Sequence, residues 1–163
     1  MQNYNNLAIY QTKYNKMCKY PKYKVLIFDL GNTILPIAPE LTVQAFRNLG
    51  FAEDILTPNE STGKVLSKYQ KGEIATVDFL AFLKSQLPQK VAEEQIIEAW
   101  NAMLLDFPEA HLELLEDLQK TQQLILLSNT NVLHTMCFEA KSLKFGKPLS
   151  SYFDAVYYSQ EVA

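Results

Sequence analysis

A chain of 163 residues, of which 48% are apolar and 20% charged, is long enough to bury a core and has the composition of an ordinary globular protein, built as one main domain with room for an insertion. A formal net charge of -3 argues against a nucleic-acid-binding surface. No apolar run approaches the ~20 residues of a membrane helix, and the N-terminus lacks the apolar centre of a secretory signal. Only two cysteines occur, Cys18 and Cys137, with no CxxC pair, which suits reduced thiols in a cytoplasmic protein and argues against a zinc site.

Residues 1–22 are polar, rich in Asn, Lys and Tyr and without periodicity, and are expected to form an extension outside the fold. The segment Lys24 to Leu35, KVLIFDLGNTIL, opens the fold. Val25, Leu26, Ile27 and Phe28 are apolar at every position, the pattern of a parallel strand buried on both faces. Pro36 and Pro39 break the chain, and four amphipathic helices follow. Val43, Phe46 and Leu49 share one helical face that stops at Gly50. Val65, Leu66 and Tyr69 repeat the pattern before Gly72. Thr76 is placed to cap a third helix, with Phe79, Leu80, Leu83 and Leu87 inward and Pro88 closing it. The fourth carries Ile96, Ile97, Trp100, Met103 and Leu104, with Glu93 and Glu94 as a solvated first turn.

Pro108 then opens a helix with Leu112, Leu115 and Leu118 on one face. Leu124 to Leu127 read as a second buried strand, ending in Ser128-Asn129-Thr130-Asn131. A helix is expected over Val132 to Leu143, and a third strand over Ala155 to Tyr158, ending in Ser159. Three strands with helical crossovers predict an α/β fold, a doubly wound parallel (Rossmann-like) sheet. The expected division is a core of residues 23–37 and 107–163 with a helical cap of residues 38–106 inserted over a site.

Two strand ends carry the chemistry. Open α/β sheets bind ligands at the carboxyl ends of their strands, and Asp29 stands there beside the turn Gly31-Asn32-Thr33. A carboxylate in that place serves as nucleophile, as metal ligand, or as both; the alternative is an aspartate that only caps the turn. Ser128 and Asn129 end the second strand. A hydroxyl and the backbone N–H groups of that turn suit a phosphate oxygen, the alternative being a helix N-cap by Thr130 or Asn131. His134 lies one turn further and reads as a partly buried surface residue; His111 stands among glutamates and reads as solvated. Trp100 and Met103 read as core, with a cleft lining as the alternative.

The pair FDLGNT and LLSNTN, separated by a helical insertion, resembles the haloacid dehalogenase (HAD)-like hydrolase superfamily. LSNTNVLHT (Leu127 to Thr135) and YYSQE (Tyr157 to Glu161) are similar, more narrowly, to its bacterial sugar-phosphate phosphatases of the α-glucose-1-phosphate phosphatase type. The resemblance covers roughly Lys24 to Ala163. It implies that Asp29 is the nucleophile and a Mg2+ ligand, that the Gly31 carbonyl is a second ligand, and that Ser128 binds the transferred phosphoryl group. The implied activity is Mg-dependent hydrolysis of a small phosphorylated metabolite, such as a sugar phosphate, through an aspartyl-phosphate, with no nucleic acid or membrane involved. In many of these phosphatases the position of Gly31 is a second aspartate, the general acid and base, so acid catalysis is unassigned. The family's third motif, a lysine after the YYSQE strand, and its fourth, an acidic pair on a further strand, do not occur before Ala163. The sequence is therefore expected to be C-terminally truncated, and its last strand to be an uncovered edge. Lys147-Pro148 imitates the third motif but precedes its strand. A non-catalytic fragment or pseudoenzyme that binds phosphate or a partner, and a 2-haloacid dehalogenase, are the alternative functions.

Overall fold

The computed structural model describes residues 23–52, 55–56, 59–88 and 90–162; the expected polar extension and Cys18 lie outside them. Strand β1 (Val25–Phe28) is followed by helices α1 (Pro39–Asn48), α2 (Glu60–Gln70), α3 (Thr76–Ser85) and α4 (Glu93–Asn101). The chain then returns through α5 (Glu109–Gln119) to β2 (Gln123–Ser128), and through α6 (Val132–Ser142) and two short 3-10 turns to β3 (Ala155–Tyr158) and the final turn α7 (Ser159–Val162). The three strands are parallel, in the order β1-β2-β3. The predicted α/β fold with a parallel sheet is thus observed.

Alternation along the strands decides what the sheet buries. Register pairs Leu26 with Leu124 and Phe28 with Leu126, and Leu126 with Val156 and Ser128 with Tyr158. These even-numbered residues face Leu112 and Leu115 of α5 and Phe138 of α6, with Tyr152 and Phe153 closing the cluster. The opposite face differs from expectation. Ile27 is 67% exposed, and Val25, Leu127 and Tyr157 are exposed beside it, so β1 is not buried on both faces. The reason is topological: successive crossovers that advance in one direction place their helices on the same face, here α5 and α6 together. An all-apolar strand signals a parallel sheet but does not say how many of its faces are covered.

Helices α1 to α4 enclose a second apolar core around Phe46, Tyr69, Phe79, Leu83, Ile96 and Trp100. Tyr69 stacks on Phe79 at 4.0 Å, and Phe79 meets Trp100 edge-on at 4.9 Å. Leu133, from the first turn of α6, is part of this second core. The two crossings between the cores run side by side. Ile37 and Leu104 form an antiparallel bridge, Ala38 N–H donates to Met103 O, and Leu105 N–H to Pro36 O.

The helix stops behave as read: Gly50 and Gly72 end α1 and α2 with φ of +90° and +73°. Thr76 does not. The cap of α3 is Ala75, and the Thr76 hydroxyl is engaged instead by Tyr69 Oη at 3.1 Å. Gly72 has a second duty. A Cβ there would stand 2.2 Å from the Gln160 carbonyl oxygen, so α2 seats against α7 only because this residue is glycine. Gly72→Ala is expected to lower stability by about 2 kcal/mol or more, from left-handed strain and a backbone overlap together, read as a fall in the urea midpoint.

Candidate active site

The Asp29 loop is closed by groups other than Asp29. The Leu30 carbonyl accepts from the N–H of Thr33, Ile34 and Leu35, and Asn32 N–H donates to Leu35 O at 2.9 Å. Asn32, at φ +56°, accepts the Ile37 N–H on its Oδ1 at 3.0 Å. Leu30, Ile34 and Leu35 are buried and anchor the loop in the sheet core. His111, expected to be solvated, reaches from α5 and places Nδ1 2.9 Å from Ile34 O. Asp29 is exposed, and its carboxylate accepts no hydrogen bond from the described residues. The turn-capping alternative for Asp29 is therefore absent: Asn32 does that work.

Ser128 ends β2 on the neighbouring strand, two residues beyond the Phe28–Leu126 pair, whereas Asp29 is one beyond it. Both therefore stand at the carboxyl edge of the sheet. Ser128 is largely buried and Asn129 is exposed. The rest of this loop is held rigidly. Thr130 N–H donates to Ser159 Oγ at 3.0 Å, and Asn131 caps α6 by accepting the His134 N–H at 3.1 Å. The cap alternative holds for Asn131, which leaves Ser128 unused by it. Sequence reasoning passed over Ser159 as an anchor; its signal was a small hydroxyl residue at the tip of the third strand.

Behind the loop lies a buried polar cluster. Asn131 Oδ1 also accepts from Trp100 Nε1 at 3.2 Å. His134 stacks on the Trp100 ring at 5.2 Å and is enclosed, not a surface residue. Burial pushes its pKa down to about 4, opposed in part by the hydrogen bond to the Trp100 carbonyl. Trp100 is part of the helical core, as expected, and Met103 packs at the margin of the sheet core.

Magnesium would meet two oxygen donors here, the Asp29 carboxylate and the Gly31 carbonyl, and the latter accepts from no described residue. That donor set fits a hard cation that keeps several waters and shares a substrate phosphate. Among the described residues no group of three or more His, Cys, Asp or Glu side chains could hold a metal by itself. Nothing steric demands glycine at 31: its φ is not left-handed, and a Cβ would meet Ile37 Cδ1 at an ordinary 3.5 Å.

No family model matches the chain. It is 29% identical over 143 residues to the D-ribitol-5-phosphate phosphatase of Bacteroides thetaiotaomicron, covering 85% of this chain and 68% of that one. A HAD family enzyme of Bacteroides thetaiotaomicron, solved in complex with magnesium and inorganic phosphate, superposes with a TM-score of 0.77 at 27% identity, over 85% of this chain and 70% of that one. The chain thus resembles HAD-family phosphatases in both sequence and fold. A predicted HAD-like hydrolase from Porphyromonas gingivalis shares the fold, with a TM-score of 0.75 at 24% identity over 86% of this chain and 68% of that one. Lys147 precedes β3, at the end of the sheet away from Asp29. Its Nζ lies 3.2 Å from Glu116 Oε1 and 3.9 Å from the centre of the Tyr152 ring. It packs on α5 and is remote from the strand tips, in keeping with its having no assigned role.

Proposed function

We propose that the chain is a magnesium-dependent phosphatase of a small phosphorylated metabolite, a sugar or sugar-alcohol phosphate, with Asp29 as nucleophile. One observation carries this: the loop after β1 is closed by hydrogen bonds that do not use the Asp29 side chain, leaving a free carboxylate at the ligand-binding edge of a parallel sheet. The substrate class is supported by the likeness to the ribitol phosphate phosphatase and by the α-glucose-1-phosphate-type motifs. In this reading the helices of residues 38–106 form the cap that selects substrate. Their apolar core, separate from that of the sheet, supports the division.

An Asp29 carboxylate oxygen attacks phosphorus as the bond to the leaving alkoxide breaks; water then attacks the acyl-phosphate, releasing phosphate and restoring Asp29. Ser128 Oγ and the Asn129 N–H hold the phosphoryl oxygens. Asp29 and the Gly31 carbonyl would hold a magnesium ion, which when bound would supply charge to offset the repulsion between carboxylate and phosphate. Gly31 offers no proton, so the leaving group takes its proton from water or from another part of the substrate.

Hydrolysis of p-nitrophenyl phosphate and of D-ribitol 5-phosphate by the purified chain tests the proposal. Turnover with MgCl2 that stops in EDTA, without halide release from a 2-haloacid, is expected. Binding of magnesium or phosphate without turnover would favour a second reading, a non-catalytic phosphate binder. The lack of an acid at Gly31 favours it.

A further inference from the structure

We propose that Asn131, Trp100 and His134 form a positioning unit through which the seating of helices α1 to α4 sets the Ser128–Asn129 loop. It rests on the phosphate-binding reading of that loop. The hydrogen bonds form one closed circuit. Asn131 Oδ1 accepts from Trp100 Nε1 and from the His134 backbone N–H, so the side-chain nitrogen of Asn131 must be the atom 3.1 Å from His134 Nδ1. That nitrogen can only donate, which makes Nδ1 the acceptor and puts the single ring proton on Nε2. Nε2 then donates to the Trp100 carbonyl at 3.1 Å. The same carbonyl accepts from Thr42 Oγ1, and Thr42 Oγ1 accepts from Met103 N–H, both at 3.1 Å.

The circuit joins α1, α4, the second crossing and the start of α6. Thr42, Trp100 and Asn131 are all buried, Asn131 to 1% exposure. Its two ends meet the two loops of the candidate site. Asn131 lies three residues after Ser128. Met103 O accepts from Ala38 N–H, beside the segment that leaves the Asp29 loop. A buried network with every member satisfied permits one arrangement, because any shift of α4 strands a donor or acceptor. Tyr69 Oη, accepting the Leu133 N–H at 3.2 Å, adds a second tie from α2 to the same helix start. The loop is thus set by helices distant from it in sequence. These residues touch no reacting atom and act through the loop.

Two variants separate positioning from bulk stability. His134→Leu keeps apolar volume but removes both ring hydrogen bonds; His134→Gln keeps an N–H that can reach the Trp100 carbonyl. Backbone amide exchange of Asn129 and Thr130, and the affinity for inorganic phosphate with magnesium present, are read by NMR titration. His134→Leu is expected to speed exchange and to weaken phosphate binding by about fivefold or more, with His134→Gln restoring most of both. Native exchange in His134→Leu would overturn the proposal, as would unchanged phosphate affinity in a chain that binds phosphate. Should the native chain bind no phosphate, the functional reading fails, and the exchange rates alone decide this inference.

Discussion

Asp29→Asn is expected to abolish the magnesium-dependent phosphatase activity, by about a thousandfold or more, while leaving the melting curve in place. The amide keeps the size of the carboxylate and loses its charge and nucleophilicity. Stability is expected to move by no more than about 0.5 kcal/mol, because an exposed side chain without a partner contributes little to the fold. The two halves of this prediction discriminate between roles. An aspartate that served only the turn would show the reverse, a weaker fold with activity falling only in proportion. Here the turn belongs to Asn32 and the Leu30 carbonyl, so fold and activity separate at Asp29. Steady-state kinetics beside thermal melts of both chains provide the check, and full activity in the variant would remove Asp29 from the mechanism.

Acid is expected to weaken the fold through His134. The ring is neutral in the native chain, where its pKa is held at about 4, against an ordinary value of 6.5. Above pH 6.5 neither the folded nor the unfolded chain carries the proton, and the group is silent. As pH falls below 6.5 the unfolded chain takes up a proton that the folded chain refuses, so stability declines down to about pH 4, where the native ring also protonates. The loss over this window is on the order of 3 kcal/mol. The structure explains the refusal: a second proton on Nδ1 would point at the Asn131 amide donor. Urea titrations at pH 7 and pH 4.5, compared with those of His134→Gln, isolate this contribution from that of the carboxylates. Equal pH slopes for the two chains would refute it.

Much of the fold was legible in the sequence because local signals were strong. The apolar runs at Val25–Phe28 and Leu124–Leu127 and the helical spacing of Phe46, Tyr69 and Phe79 name their elements. Gly50 and Gly72 end helices because only glycine takes those φ values cheaply. The candidate residues Asp29 and Ser128 also announced themselves, since a polar residue directly after an apolar run is where parallel sheets expose chemistry. Hydrogen-bond partners remained hidden, because they come from distant segments. Thr76 looked like a cap and became a partner of Tyr69; His111 looked solvated and holds the Ile34 carbonyl; His134 looked superficial and is enclosed against Trp100.

The sequence by itself determined the parallel α/β class, the four inserted helices and the two strand tips that bear Asp29 and Ser128. Periodicity and turn chemistry act within a few residues and need no partner. Only the tertiary structure decided that one sheet face is covered by α5 and α6 while Ile27 lies open. It alone decided that Asn32 closes the turn and frees Asp29, and that Asn131, Trp100 and His134 meet. Those outcomes depend on which surfaces packing brings together, and burial and hydrogen bonding between segments tens of residues apart leave no periodic trace in the chain.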